Sequence, residues 1–245
     1  MRIPRFYQPE HFACGETVSL RDDVVQHVCR VLRMKSGELI TLFDGQGNEH
    51  LCELVDVAKR SASVQVREVT QLSRSSALKV HIGQALSRGE RMDYAVQKST
   101  EMGMTSMTPL FTERSEVKLS AERQGKRIQH WQQVAISACE QSLRNEIPEI
   151  AAPCMLTDWV QQCDAELKLV LHHHTEQPLA ALDAPQSVAL LVGPEGGLTE
   201  AEVEQAIAAG FKPVAFGPRV MRTETAPVAA QAILQYMWGD LGHAG

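Results

Sequence analysis

The sequence predicts an α/β protein with two parts: a small β-rich module, then a larger, mostly parallel sheet with helices on both faces. Strand-like runs joined by tight turns fill the first 70 residues, and a polar stretch without periodicity follows at 70–76. Beyond it, short apolar runs alternate with amphipathic segments, which is typical of a parallel sheet. We therefore expect an N-terminal domain over 1–70, a linker over 71–77 and a second domain over 78–245.

The composition is that of an ordinary globular protein: 245 residues, 44% hydrophobic, with a formal net charge of -6. No apolar run approaches the ~18 residues that a membrane span needs. The N-terminus carries charge and proline where a signal peptide is apolar. We therefore expect a cytoplasmic protein. Its six cysteines form no CxxC pair, so we interpret them as reduced thiols rather than a zinc ribbon or disulfide framework.

Three strand-like runs define the N-terminal module, GELITLFD at 37–44, HLCELVDV at 50–57 and SASVQVREV at 61–69. One helical segment, RDDVVQHVCRVLRM, precedes them. In that segment the apolar residues at helical spacing leave Arg30 and Arg33 on the polar side; they are Val24, Val25, Val28, Val31 and Leu32. Short strands with one helical insert predict a small barrel.

The second part alternates strand and helix to the end of the chain. The predicted strands are ALKVHIGQAL, SMTPLF, LKLVLHH, SVALLVG and PVAFG, and the predicted helices are ERMDYAVQKSTEMGM, ERQGKRIQHWQQVAISACEQS, TEAEVEQAIAAG and ETAPVAAQAILQYMW. Ligands of such sheets bind beyond the carboxyl ends of the strands. The loops LHHHTE, GPEGGLTE and FGPRVMRTETA are therefore the candidate binding loops.

Positive charge is clustered near the N-terminus although the whole chain is acidic. Arg2 and Arg5 bracket Pro4, and the group Arg30, Arg33 and Lys35 lies within six residues. Phosphate binding depends on local clustering more than on total charge. These groups are either phosphate contacts or an ordinary solvated face.

The loop Gly193-Pro194-Glu195-Gly196-Gly197 follows an apolar strand, and Thr199 with Glu202 forms a capping box that begins a helix. Its glycines leave backbone amides accessible and permit positive φ. The spacing matches neither a dinucleotide fingerprint nor a P-loop. The loop is either a tight turn without a ligand or a cradle for a flat one.

A second loop places Gly217-Pro218 at a strand end, Arg219 and Arg222 around an apolar pair, and Pro227 in the first turn of an Ala-rich helix. Either Thr223 or Thr225 can cap that helix. The arginines are not explained by capping. They either pair with Glu224 or face a ligand.

Together these loops resemble the SPOUT class of RNA methyltransferases. The added motifs RFY at 5–7, QKSTEMG at 97–103, ERSEVK at 113–118 and ISACEQSLRNEIP at 136–148 resemble the bacterial 16S ribosomal RNA uridine-N3 methyltransferase family, small-subunit methyltransferase E. The resemblance covers essentially the whole chain. Phe216 and Val220-Met221 replace the usual Leu and Ile-Leu, which are conservative changes.

The resemblance implies a trefoil-knotted SPOUT domain, a PUA-like RNA-binding barrel before it, a homodimer, and 16S rRNA or the small ribosomal subunit as partner. It also implies S-adenosylmethionine as cofactor, bound between three loops. By residue matching the cofactor residues are Leu171, His172, Gly193, Pro194, Glu195, Gly196, Gly197, Leu198, Phe216, Gly217, Val220, Met221, Arg222, Thr225 and Ala226.

Uridine N3 is a poor nucleophile until it loses its proton, and a guanidinium can stabilise the resulting ring charge. We expect Arg222 in that role, with Arg144 second, and Glu224 or Glu140 as the proton acceptor. Glu140 and Arg144 are candidates only through the resemblance, since their i, i+4 spacing is also that of an ordinary surface ion pair. For RNA we expect contacts from these residues: Arg2, Arg5, Arg30, Arg33, Lys35, Arg114 and Lys118.

The run His172, His173 and His174 has no carboxylate or cysteine placed to complete a metal site, and methyl transfer needs no metal. We expect none. Two other functions stay open at this point. One is a knotted enzyme that methylates a tRNA ribose 2'-hydroxyl, and the other is an RNA-binding or ribosome assembly factor with a vestigial cofactor pocket.

Overall fold

The computed structural model describes residues 3–117, 119–172 and 183–242, which belong to two compact units. The first unit consists of Met1–Ser75 and Cys139–Ile147, and the second of Ser76–Ala138 and Pro148–Gly245. The division after Ser75 falls inside the predicted linker. Nothing in the sequence indicated that residues 139–147 would cluster with the N-terminal module.

The first unit contains a five-stranded sheet in the order β1-β3-β4-β5-β2. The strands are β1 Arg5–Tyr7, β2 Thr17–Ser19, β3 Leu39–Phe43, β4 Asn48–Val57 and β5 Ala62–Gln71. Only the β1/β3 pair is parallel. The long β4/β5 hairpin carries two register shifts, and such irregularities bend and twist a sheet around its core. The three predicted strands are confirmed, whereas β1 and β2 were not expected.

The predicted helix of this unit has an unexpected form. An α-helix, α1, covers Asp22–Gln26, and a π-helix continues it over His27–Leu32. Val24, Val25 and Val28 are buried as predicted, but Val31 and Leu32 are exposed. The prediction for these two residues was wrong because wider i→i+5 turns rotate them away from the face that α-helical spacing assigns.

The second unit contains a parallel sheet in the order β12-β10-β11-β6-β7-β8, with β9 also pairing with β7. The strands are β6 Lys79–Ala85, β7 Ser106–Phe111, β8 Glu149–Ile150, β9 Cys154–Met155, β10 Leu167–Leu171, β11 Ser187–Val192 and β12 Lys212–Val214. Every strand pair recorded in this sheet is parallel among the described residues, which confirms the predicted, mostly parallel sheet. The short strands β8 and β9 were not predicted.

Helices cover both faces of this sheet, as the alternation of strand side chains shows. The helices are α2 Glu90–Glu101, α3 Ala121–Ser142, α4 Leu156–Gln162, α5 Glu200–Ala208 and α6 Ala226–Trp238. Leu169 and Leu190 pack with residues of α2, α3 and α6, whereas the next residues, Val170 and Leu191, pack with residues of α4 and α5. This period of two places one buried layer on each side of the strands. No helix in the described part of the chain is both long and apolar enough to span a bilayer.

Candidate active site

A cavity of about 610 Å³ lies at the carboxyl ends of three neighbouring strands of the second unit. Because β12, β10 and β11 are parallel and adjacent, the loops that leave them emerge at one edge of the sheet. The amide of His172 donates to Val214 O at 3.0 Å, which ties the end of β10 to β12. The described lining of the cavity comes from the end of β10 and from the loops after β11 and β12, the three regions that the sequence predicts.

The loop of residues 193–198 is a tight turn. The amide of Gly197 donates to Pro194 O at 2.9 Å, and Gly197 has φ +69°. A Cβ on Gly193 would lie 3.1 Å from the backbone nitrogen of Leu198, so a side chain would force the turn open. The predicted capping box is confirmed: Thr199 accepts from the amide of Glu202, whose carboxylate accepts from the amide of Thr199.

Side chains from other elements hold this loop. Gln84 donates its amide to the hydroxyl of Thr223 at 3.0 Å, and that hydroxyl donates to Gly193 O at 2.7 Å. Arg114 donates from Nη1 to Gly196 O at 3.0 Å. Thr223 uses its hydroxyl here, and Thr225, the N-cap residue of α6, makes no side-chain capping hydrogen bond, so neither predicted cap forms.

Glu195 is also tied outward. It accepts from Arg91 Nη1 at 2.5 Å and from the amide of Arg88 at 3.2 Å. Partial burial raises the pKa of Glu195, but hydrogen bonds from its own amide, Arg91 and Arg88 outweigh burial and lower the pKa below its usual value. Glu195 is therefore a charged anchor of the loop and a poor proton acceptor.

Arg222 and Glu224 both line the cavity, and neither is engaged in the pairing considered for them. Glu224 Oε2 is buried and has no hydrogen-bond partner among the described residues. Arg222 is exposed, and no ion pair involving its guanidinium is recorded in the described part of the chain. A buried carboxylate oxygen without a donor is costly unless a ligand supplies one. Arg222 and Glu224 are thus charged residues of the cavity lining with no recorded ion pair between them.

Most of the predicted cofactor residues line this cavity. They are Leu171, His172, Gly193, Pro194, Glu195, Gly196, Gly197, Leu198, Phe216, Gly217, Val220, Met221, Arg222 and Ala226. Thr225, also predicted, is the exposed N-cap residue that precedes α6 and is not part of the lining.

Glu140 and Arg144 belong to the first unit, and neither lines the cavity. Glu140 Oε1 accepts from the amide of Tyr7 at 3.1 Å, and Arg144, 6% exposed, accepts at its carbonyl from Arg5 Nη2 at 3.2 Å. Their catalytic roles stay predictions. In this structure both residues participate in packing the segment 139–147 onto the N-terminal strands.

The predicted RNA contacts divide into several groups. Arg30, Arg33 and Lys35 are exposed, and Arg114 holds the loop as described above. Arg5 corrects our expectation: it is buried, ion-paired to Glu49 at 2.9 Å, and its guanidinium lies over Phe43. Burial and pairing make it a structural residue rather than a phosphate contact. Arg2 and Lys118 lie outside the described residues.

Two residues that shape the site were not predicted, Gln84 and Arg91. Gln84 is a fully buried polar residue near the carboxyl end of strand β6. A polar side chain at the carboxyl end of a buried strand is itself a signal of a binding edge. Arg91 lies on the polar side of α2 and carries no such signal. Across the described residues no group of three or more His, Cys, Asp or Glu is placed to hold a metal, and His173 and His174 lie outside that part of the chain.

Comparison with known proteins is consistent with this geometry. Residues 74–235 match the family model of the RNA methyltransferase domain, and residues 20–67 match that of the RNA methyltransferase PUA domain. A protein of Legionella pneumophila solved in complex with the cofactor SAM is 41% identical, with a TM-score of 0.96, and the match covers 98% of this chain and 100% of that one. The chain therefore belongs to a family of RNA methyltransferases that have a PUA domain.

The more specific relatives narrow that class. Ribosomal RNA small subunit methyltransferase E of Bacillus subtilis is 34% identical over 230 residues, 90% of each chain. The enzyme of that name from Neisseria gonorrhoeae, solved bound to S-adenosyl methionine, is 40% identical with a TM-score of 0.92 over 98% of this chain and 100% of its own. This chain belongs to the ribosomal RNA small subunit methyltransferase E family.

Proposed function

We propose that this protein transfers the methyl group of S-adenosylmethionine to N3 of a uridine in 16S ribosomal RNA. The observation that carries the proposal is the cavity beside β10, β11 and β12, whose lining includes Arg222 and Glu224, in a member of this family. We also propose that it works in the cytoplasm, where its ribosomal substrate is assembled.

The residues present fit this cofactor. A volume of about 610 Å³ lies within the range of small-molecule sites, and the Cβ position of Gly197 in its lining is open space, so a flat group can approach the backbone closely there. Leu198, Phe216 and Met221 supply apolar surface, and Glu224 supplies an acceptor. When bound, the cofactor supplies an electrophilic methyl group on a sulfonium.

The side chains of the cavity then prepare the uridine. Glu224 Oε2, which lacks a donor among the described residues, accepts the N3 proton directly or through water. The exposed guanidinium of Arg222 stabilises the negative charge that the ring shares between O2 and O4. The closed loop conformation holds the reacting groups in place, which lowers the entropic part of the barrier.

Two features of the family enter the proposal without a direct observation, the trefoil knot and the homodimer. The contacts of Thr223 support a knot: after the edge strand β12 the chain crosses to reach Gly193 behind β11 and Gln84 on β6. Threading also depends on residues 173–182, which lie outside the described residues. We propose that a second copy completes the active site, as in the family.

For RNA binding we propose that Arg30, Arg33 and Lys35 hold phosphates while the target base is extruded toward the cavity. A loop base must leave its stack to reach a methyl donor. Binding should therefore weaken steeply as salt is added. Arg114 is a secondary candidate because its guanidinium is already engaged by the loop.

Nucleoside analysis of 16S rRNA from a strain lacking the gene tests the proposal. We expect 3-methyluridine to disappear and to return with the wild-type gene but not with Arg222→Ala. Loss of a ribose 2'-O-methyl nucleoside from tRNA instead would assign the other methyltransferase activity. Unchanged nucleosides, together with no calorimetric binding of S-adenosylmethionine at millimolar concentration, would contradict catalysis.

A further inference from the structure

One exposed segment of the first unit combines apolar side chains with positive charge. It consists of residues 30–35 at the end of the π-helix, and we call it the basic tip. Val31 is 66% exposed, more than any other large apolar side chain described in this unit, and Leu32 beside it is 42% exposed. Arg30, Arg33 and Lys35 surround this pair and are exposed as well.

The backbone of the basic tip has two unusual features. The amide of Met34 donates to Val28 O at 3.0 Å, and the π-helix ends at Arg33, which has φ +54°. A left-handed conformation costs a residue other than glycine roughly 1 to 2 kcal/mol. Wide helical turns and strained residues recur at functional sites. Arg33 thus adopts a backbone conformation that costs glycine less.

Structural roles account for only part of the basic tip. Cations near the end of a helix stabilise its free carbonyl groups, which explains Arg30 and Arg33. That effect does not explain two consecutive apolar side chains in water. The other exposed large apolar residues of the unit, such as Val55 on β4, have no exposed large apolar neighbour in the sequence, which is common on protein surfaces.

We infer that the basic tip binds an unpaired segment of RNA, with Val31 and Leu32 packed against an unstacked base and the three cations on phosphates. The inference rests on the proposed function and adds base contact by a specific apolar pair. Apolar side chains reach base faces only where the bases are splayed or unstacked. The geometry thus favours single strands over a duplex.

Charge favours RNA over the other occupants of an apolar surface. None of the ion pairs recorded among the described residues includes Arg30, Arg33 or Lys35, so their charge is available to a polyanion. Two copies meeting tip to tip would bring six cations together, which opposes an isologous contact at this surface. The tip also lies inside the segment that matches the RNA methyltransferase PUA domain.

Equilibrium binding of labelled RNA to the full chain tests the inference. The probes are a uridine oligomer of about 12 nucleotides and an RNA duplex of about 16 base pairs, each titrated at several salt concentrations. The test variant is the double substitution Val31→Thr with Leu32→Gln, which leaves every charge in place. Val55→Thr is the matched control because it replaces an exposed methyl group of the same unit by a hydroxyl outside the basic tip.

We expect the double variant to bind the uridine oligomer roughly fivefold more weakly, with an unchanged slope of affinity against salt. Arg30→Gln should instead lower that slope by about 0.7, the value for one phosphate contact on a single strand. Val55→Thr should match the wild type, and thermal unfolding should be the same for all variants. Binding of the duplex should change less than binding of the oligomer.

Equal affinity of the double variant and the wild type for the oligomer would overturn the inference. Two further results would overturn it. If the double substitution weakened binding only to vesicles of phosphatidylserine, the tip would be a membrane contact. If it changed the sedimentation of the protein, the tip would be a contact with a second copy. Failure of the wild type to methylate 16S rRNA is a separate result that contradicts the proposed function. The two failures are therefore distinguishable.

Discussion

Two arginine and glutamate pairs of this chain have the same chemistry but different surroundings. Arg222 and Glu224 line a cavity, and the buried Oε2 of Glu224 has no donor among the described residues. Glu140 and Arg144 instead pack the segment 139–147 onto the N-terminal strands, where Glu140 accepts from the amide of Tyr7. The difference shows that a family motif combines residues that line a cavity with residues that hold the fold, and that their hydrogen-bond partners separate them.

The largest expected effect is that of Arg222→Ala on methyl transfer. Removing a group that stabilises developing charge costs about 10²- to 10³-fold in kcat, and loss of the sole guanidinium that we assign to the uracil ring should reach the upper end. Transfer of a radiolabelled methyl group to 16S rRNA measures it. Because Arg222 is exposed, thermal unfolding should be unchanged.

Arg219→Ala is the matched control, since Arg219 is exposed in the same loop and also lines the cavity. We expect it to retain most of kcat. Full activity of Arg222→Ala would remove this residue from the mechanism, and equal losses in both variants would indicate a general electrostatic effect of the loop.

The next effect in size is that of Glu224→Gln, which keeps the shape of the side chain and removes its basicity. General base catalysis contributes typically 10²- to 10⁴-fold, so we expect kcat to fall about 100-fold with little change in the KM for the cofactor. Glu204→Gln on the exposed side of α5 is the control. A Glu224→Gln enzyme as fast as this control would show that another group accepts the proton.

Periodicity and turn chemistry predicted most elements of the second unit, but not β8, β9 or α4. The predicted strands correspond to β6, β7, β10, β11 and β12, because short apolar runs bounded by turn residues favour buried strands. Thr199 with Glu202 determined where α5 begins. The π-helix was not predictable, because Val31 and Leu32 obey α-helical spacing and only the backbone geometry exposes them. The position of the segment 139–147 was also hidden, since it depends on long-range pairing between Arg5 and Asn145.

The site was predictable to a similar extent. Loop residues such as Gly193 and Met221 follow from the motifs, and the cavity confirms that they lie together. The hydrogen bonds that hold the loops were not predictable, because Gln84 and Thr223 are 139 positions apart in the sequence and no local pattern relates them. Arg5 illustrates the opposite error, since a cluster of charges in the sequence does not reveal that one member is buried.

Those links supply the third prediction, an intermediate effect at the junction of the two loops. Thr223→Val keeps the volume and removes the hydroxyl that joins Gln84 to Gly193, so the loop should be held less firmly and should bind S-adenosylmethionine roughly tenfold more weakly. Calorimetry measures the affinity. The unfolding free energy should fall by about 1 to 2 kcal/mol, because Gly193 O and the Gln84 amide lose a partner.

Thr223→Ser restores the hydroxyl with a smaller side chain and should restore cofactor affinity. If the Ser and Val variants bind the cofactor equally, the hydrogen-bond chain does not position the loop. If both bind as tightly as the wild type, the loop conformation is maintained by Arg114 and Arg91 alone.

The smallest effect concerns Glu140 and is one of pH and stability. Burial raises the pKa of Glu140, against the opposing hydrogen bond from the amide of Tyr7. A carboxyl group whose folded pKa is raised binds its proton more tightly in the folded state, so the associated stability is present below the usual value of 4.5 and is lost as pH rises through the folded pKa.

Glu140→Gln keeps an acceptor for Tyr7 and removes the titration. Relative to the wild type, its unfolding free energy should therefore increase as pH rises above 4.5 and then level off. Urea unfolding at several pH values measures the difference, with the exposed Glu204→Gln as the control; a constant difference across pH would show that the folded environment does not oppose the charge of Glu140.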